Sequence, residues 1–99
     1  MLNIEHTLEN GTAVVALQGQ LDAISSPDVE KVLEEILPGL TSLTFDLDGL
    51  EYISSAGLRV LLSAQKHMNV QGEMKLIHVG DPIMDVFEIT SFTDILTIE

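Results

Sequence analysis

The sequence predicts an α/β domain: a mixed sheet of about five strands, the first antiparallel and the rest largely parallel, with three or four helices packed against it. Three observations lead there. The chain opens on two strand-like runs joined by Asn10-Gly11, a pair that tolerates positive φ and favours a two-residue hairpin. After that hairpin, helical and strand periodicities alternate. Helix starts at Ser26-Pro27 and Asp81-Pro82, and stops at Pro38-Gly39 and Gln71-Gly72, divide the alternation into units.

In the first strand Leu2, Ile4 and His6 alternate with Asn3, Glu5 and Thr7, the period of a half-buried strand. The run Thr12-Ala13-Val14-Val15-Ala16-Leu17 is almost continuously apolar and suits a more central strand. Gly19 to Ile24 then reads as a loop. Ser26 suits an N-cap and Pro27 the first helical position, and Val29, Val32, Leu33, Ile36 and Leu37 form one helical stripe. Glu34, Glu35 and Lys31 make its solvated face. Leu43, Phe45 and Leu47 alternate with Thr44, Asp46 and Asp48 as the next strand. A second helix is expected from Ser55, with Leu58, Leu61, Leu62, Ala64 and Met68 inward and Arg59, Ser63, Lys66 and His67 outward. Gln65 falls inside the apolar arc. Residues 74–79 form a strand, residues 83–87 mark a short third helix, and Ile95 to Ile98 read as a last edge strand. Each helix between two strands implies a right-handed crossover between parallel neighbours.

The 99 residues suit a single domain, 1–99. Apolar residues at 45% and charged residues at 20% belong to a globular chain rather than a disordered one. The absence of cysteine excludes disulfides, thiolate metal sites and cysteine nucleophiles. Sixteen acidic residues against four basic ones give a net charge of −12, which repels nucleic acid and anionic lipid. No apolar run approaches the ~18 residues needed to cross a bilayer, and the N-terminal residues show no signal peptide. The expectation is a cytoplasmic protein with no nucleic-acid partner and no membrane insertion.

Candidate chemistry gathers at Ser54-Ser55-Ala56-Gly57. A serine at a helix start can cap it by accepting a hydrogen bond from a first-turn N–H. It can also carry a phosphate, which would meet the free N–H groups and positive end of the helix and add about −1.5 to −2 charge. Gly57 is expected to keep the surface beside the hydroxyl low. Asp46, Asp48 and Glu51 precede the site, and some of them should lie near it. Nucleophilic catalysis has little support: there is no Gly-x-Ser-x-Gly elbow, and nothing brings His6, His67 or His78 to Ser55. No paired-histidine helix motif, calcium loop or glycine-rich phosphate loop is present, so neither a metal nor a cofactor is expected. Asp46 and Asp48 could hold a divalent ion as in receiver domains, but solvation explains two strand-end carboxylates more simply.

Residues 52–62, Tyr-Ile-Ser-Ser-Ala-Gly-Leu-Arg-Val-Leu-Leu, resemble the signature of the STAS domain, the family of bacterial anti-sigma factor antagonists. Gly19-Gln20-Leu21-Asp22 is similar to the family's aspartate loop before the first helix, and Gly72 to Leu76 and Val86 to Phe92 match its later strand and closing helix. The resemblance covers essentially the whole chain. It implies a regulatory protein rather than an enzyme. It implies that Ser55 is phosphorylated by an anti-sigma factor, a serine kinase with a histidine-kinase-like ATPase fold. The unphosphorylated form would bind that kinase and release the sigma factor, and a metal-dependent serine phosphatase would reset the cycle. Asp22 would lie near Ser55 and help position it, and Asp22, Ser54, Ser55, Ala56, Gly57 and Arg59 would form the partner-binding surface. Ser54 replaces the aspartate that often precedes the acceptor, and is the second candidate acceptor. An adaptor without a phosphorylation cycle, in a transporter or sensory complex, is the alternative.

Overall fold

A computed structural model describes all 99 residues. Strands β1 (Leu2–Glu9) and β2 (Thr12–Leu21) form an antiparallel hairpin, paired from Leu2↔Gly19 to Glu9↔Thr12. Its turn is made by Asn10 at φ 52° and Gly11 at φ 79°, the positive pair that the sequence requires.

β2 is the spine of the sheet. Its first half pairs in parallel with β3 (Ser42–Asp46), and its last residues pair in parallel with β4 (Leu50–Ile53). On the far side of β3 lies β5 (Glu73–Ile77), again parallel. The order is β1-β2-β3-β5, with β4 beside the C-terminal end of β2. The change of partner takes place at Gly19, where the register shifts and φ is +101°. A Cβ there would stand 2.2 Å from the carbonyl oxygen of Met1, so only glycine fits. The Met1 carbonyl accepts from the Gln20 N–H at 3.1 Å, and the Met1 amino group donates to Gln20 Oε1 at 2.6 Å.

Strand alternation places the core on one face. Ala13, Val15, Leu17 and Leu21 of β2, with Leu43 and Phe45 of β3, are buried, while Val14, Ala16 and Gln18 retain exposure on the opposite face. Helices α1 (Ser26–Ile36), α2 (Ser55–Gln71) and α3 (Asp81–Ile89) turn their apolar stripes into the same buried cluster. Gln65 is buried within α2; its Nε2 donates to Asn69 Oδ1 at 2.8 Å, and its Oε1 has no partner.

The sheet has the expected five strands, but not the expected membership. Gly19 to Leu21 continues β2 instead of forming a loop, because the glycine bulge lets the strand resume against β4. Ile95 to Ile98 does not form an edge strand. A single 3-10 turn, Phe92–Asp94, precedes it, and only Ile98 bridges to Leu76 of β5. β5 ends at Ile77 rather than Val79, because His78 turns the chain at φ 57°. The proline-marked helices each begin one residue early. Ser25 and Gly80 occupy the cap positions, with no side-chain cap bond, and Ser26 and Asp81 lie inside.

Candidate functional site

β2 and β4 finish side by side, with Leu21 paired to Ile53. The Ser54 N–H donates to the Leu21 carbonyl at 2.9 Å, which pins the chain as it leaves the sheet. Ser54 is extended, at φ −96° and ψ 176°, and α2 begins immediately after it. Its Oγ accepts a long 3.4 Å bond from the Gly57 N–H, and its carbonyl accepts from the Leu58 N–H at 2.9 Å. Ser54, not Ser55, is therefore the cap. Ser55 is the first residue inside the helix, exposed, and its hydroxyl makes no hydrogen bond. The division of labour follows from geometry: only the extended residue before the helix can fold its side chain back over the first-turn N–H groups.

Gly57 does not lie on the surface as expected. It is buried, and a Cβ would approach Ile53 Cγ1 and Leu21 Cγ at 2.8 Å and the Leu21 carbonyl oxygen at 3.0 Å. The glycine seats the first turn of α2 directly on the ends of β2 and β4, beneath the hydroxyl. Ala56 is half-buried beside Ser55, and Arg59 is exposed one turn further on.

Asp22 follows the last residue of β2, so it shares this end of the sheet. Its carboxylate faces its own loop: Oδ1 accepts from the Ile24 and Ser25 N–H groups, each at 3.0 Å, and from Ser25 Oγ at 3.1 Å. The Ser25 N–H, foremost, holds the Asp22 carboxyl below the usual carboxylate range. Ser25 Oγ accepts from the Asp22 N–H, and Ser26 Oγ donates to the Asp22 carbonyl at 2.6 Å. The aspartate shapes the loop that follows Leu21, whose carbonyl holds the Ser54 N–H, and makes no hydrogen bond to Ser55. Ser25 and Ser26 are buried parts of this knot, and the Asp-x-x-Ser spacing was their sequence signal. Ile24 on the same loop is 88% exposed and Tyr52 on β4 is 52% exposed, two large apolar side chains left open on elements at this end of the sheet that no periodicity singles out.

Of Asp46, Asp48 and Glu51, some of which were expected near the site, Glu51 stands four residues before Ser55 in the chain. It lies on β4 and accepts from Gln20 Nε2 at 3.5 Å. Asp46 pairs with Ala16, five residues before Leu21 on β2, roughly 16 Å down the strand. There its Oδ1 meets His78 Nδ1 at 2.9 Å and accepts from the Asp48 N–H at 3.1 Å. The contact lowers the Asp46 pKa and raises that of His78. His6 pairs with Val15, and His67 lies three turns along α2, so no histidine is positioned to take a proton from Ser55.

The description of the STAS domain matches residues 3–99. The chain belongs to the STAS domain family. Among its relatives, the anti-sigma factor antagonist BtrV of Bordetella bronchiseptica is 35% identical over 91 residues, covering 90% of this chain and 78% of BtrV. The anti-sigma-B factor antagonist of Staphylococcus aureus is 31% identical over 97 residues, covering 96% and 90%. The phosphorylated form of the Bacillus cell fate determinant SpoIIAA superposes with a TM-score of 0.75 at 17% identity, covering 100% of this chain and 91% of that one. In this STAS domain no helix is long and apolar enough to cross a membrane.

Proposed function

We infer that this STAS domain is an anti-sigma factor antagonist switched by phosphorylation of Ser55. The observation that supports this most is the division between the two serines: Ser54 is engaged at the helix cap, while the Ser55 hydroxyl is exposed and unbonded. The partner is an anti-sigma factor serine kinase, to which the chain is substrate and not catalyst. Ser55 Oγ attacks the γ-phosphorus of ATP, ADP leaves, and the hydroxyl proton passes to a base on the kinase. A serine phosphatase reverses the modification by hydrolysis. The docking surface comprises Asp22, Ser54, Ser55, Ala56 and Arg59, with Gly57 supporting it from below. The dianion added at Ser55 joins Glu51 and a net charge of −12, and makes this end repel a surface that accepted the neutral hydroxyl.

The test is intact-mass analysis after incubation with the cognate anti-sigma factor and ATP. One phosphate is expected on the wild type and on Ser54→Ala, and none on Ser55→Ala. Phosphate on Ser55→Ala would move the acceptor elsewhere. No phosphate on the wild type would favour a constitutive adaptor. In a binding titration, Ser55→Asp should bind the partner at least ~10-fold more weakly than Ser55→Ala, and equal affinities would remove the electrostatic switch.

A further inference from the structure

The single arginine of the chain stands one helical turn beyond the acceptor hydroxyl. Ser55 and Arg59 are four residues apart on α2 and lie on one face, one above the other. Long side chains on a helix lean back over the turn that precedes them, and for Arg59 that turn starts at Ser55. Both residues are exposed. The chain carries sixteen acidic side chains, yet Arg59 pairs with none; the ion pairs are Lys75–Glu99 and His78–Asp46. The charged groups around it are otherwise placed. Glu30 of α1 lines the same groove without pairing to it, Asp22 is turned into its own loop, and Glu51 is held by Gln20.

We propose that Arg59 is the internal counter-ion of phosphorylated Ser55, folding back to grip the phosphate and so leaving the surface that a partner meets. This rests on the reading of Ser55 as the acceptor. A phosphate offers three strong acceptor oxygens, and a guanidinium fork can donate two parallel hydrogen bonds to it. The neutral form displays an isolated cation beside a free hydroxyl, on a protein with few cations to offer. The phosphorylated form withdraws that cation as well as adding negative charge. Modification thus removes an attraction and introduces a repulsion in one step.

The full chain with phosphoserine inserted at position 55 during translation tests this, in the wild-type background and with Arg59→Gln. The second ionisation of the phosphate, followed by phosphorus-31 NMR, is expected to fall roughly 0.3 pH unit lower with Arg59 present. The difference should shrink in about 1 M salt. The helix N-terminus is common to both proteins, so the comparison isolates the arginine. Identical titrations at low salt, or a difference that salt leaves unchanged, overturn the proposal. Because translation supplies the phosphate, the result does not depend on any kinase. A kinase that ignores Ser55 would sink the proposed function and leave this measurement standing.

Discussion

Replacing Gly57 with alanine adds one methyl group at the tightest point beneath the candidate site. The new Cβ would lie 2.8 Å from both Leu21 Cγ and Ile53 Cγ1, and 3.0 Å from the Leu21 carbonyl oxygen. Ordinary carbon contacts lie at about 3.5–4.0 Å, so the two carbon contacts must each open by about 0.7 Å or more. The neighbours have little freedom to give way. Leu21 is fully buried, and its carbonyl is bonded to the Ser54 N–H. Overpacking of this kind costs about 1–3 kcal/mol. Alanine's better helix propensity offsets at most ~1 kcal/mol, and less in a first turn. The net expectation is a loss of about 1–2 kcal/mol. In urea denaturation followed by circular dichroism, that lowers the midpoint by about 1 M or slightly more, with an unchanged slope. The cost should shrink in a Leu21→Ala background, where the crowded Cγ is gone. A Gly57→Ala midpoint at or above the wild type would refute the reasoning. So would an equal cost in both backgrounds.

The two serines should separate by stability. Ser54→Ala loses the cap and is expected to cost about 0.5–1 kcal/mol, while Ser55→Ala should stay within about 0.5 kcal/mol of the wild type; the reverse order in urea titrations would contradict the assignment of the cap. The His78–Asp46 contact sets a pH window. The raised His78 pKa means that its contribution is complete below the ordinary imidazole value of 6.5 and fades as pH rises through the folded value. The lowered Asp46 pKa means that the contribution is present above 3.8 and fades as pH falls through the folded value. The stability difference between wild type and His78→Gln should therefore be greatest from about pH 4 to 6.5, and small because both groups are solvated. A difference that is flat from about pH 3 to 9 would exclude the pair as its cause.

The architecture was legible where periodicity was strong. The opening hairpin, three helices and strands β3 and β5 follow from stripes and alternation that one buried face imposes. β4 was hidden because it has four residues with only its ends buried, and its partner is the stretch of β2 masked by Gly19 and Gln20. Ile95 to Ile98 misled in the opposite sense. Its apolar residues suit a strand, but a ladder needs consecutive partners and only Ile98 finds one. At the candidate site the motif marks both serines, and only the fold shows that Ser54, not Ser55, caps α2. A cap moves by one residue without disturbing the pattern that announces it. Gly57 was legible as a required glycine, but whether it clears a surface or a core depends on Leu21, 36 residues earlier. Asp46 and His78 meet only because β3 and β5 are neighbours.

The bulge at Gly19 has a practical consequence for handling the molecule. Because it ties Met1 to Gln20, any residues joined ahead of Met1 would emerge at the end of the sheet that carries Ser55. A purification tag or a fused reporter there would crowd the surface under test. Glu99 leaves from beside Leu76, on the outer edge of β5 and two strands away from β2. An affinity handle, a surface anchor or a fluorophore belongs after Glu99, where it leaves the end bearing Ser55 open to whatever protein is offered to it.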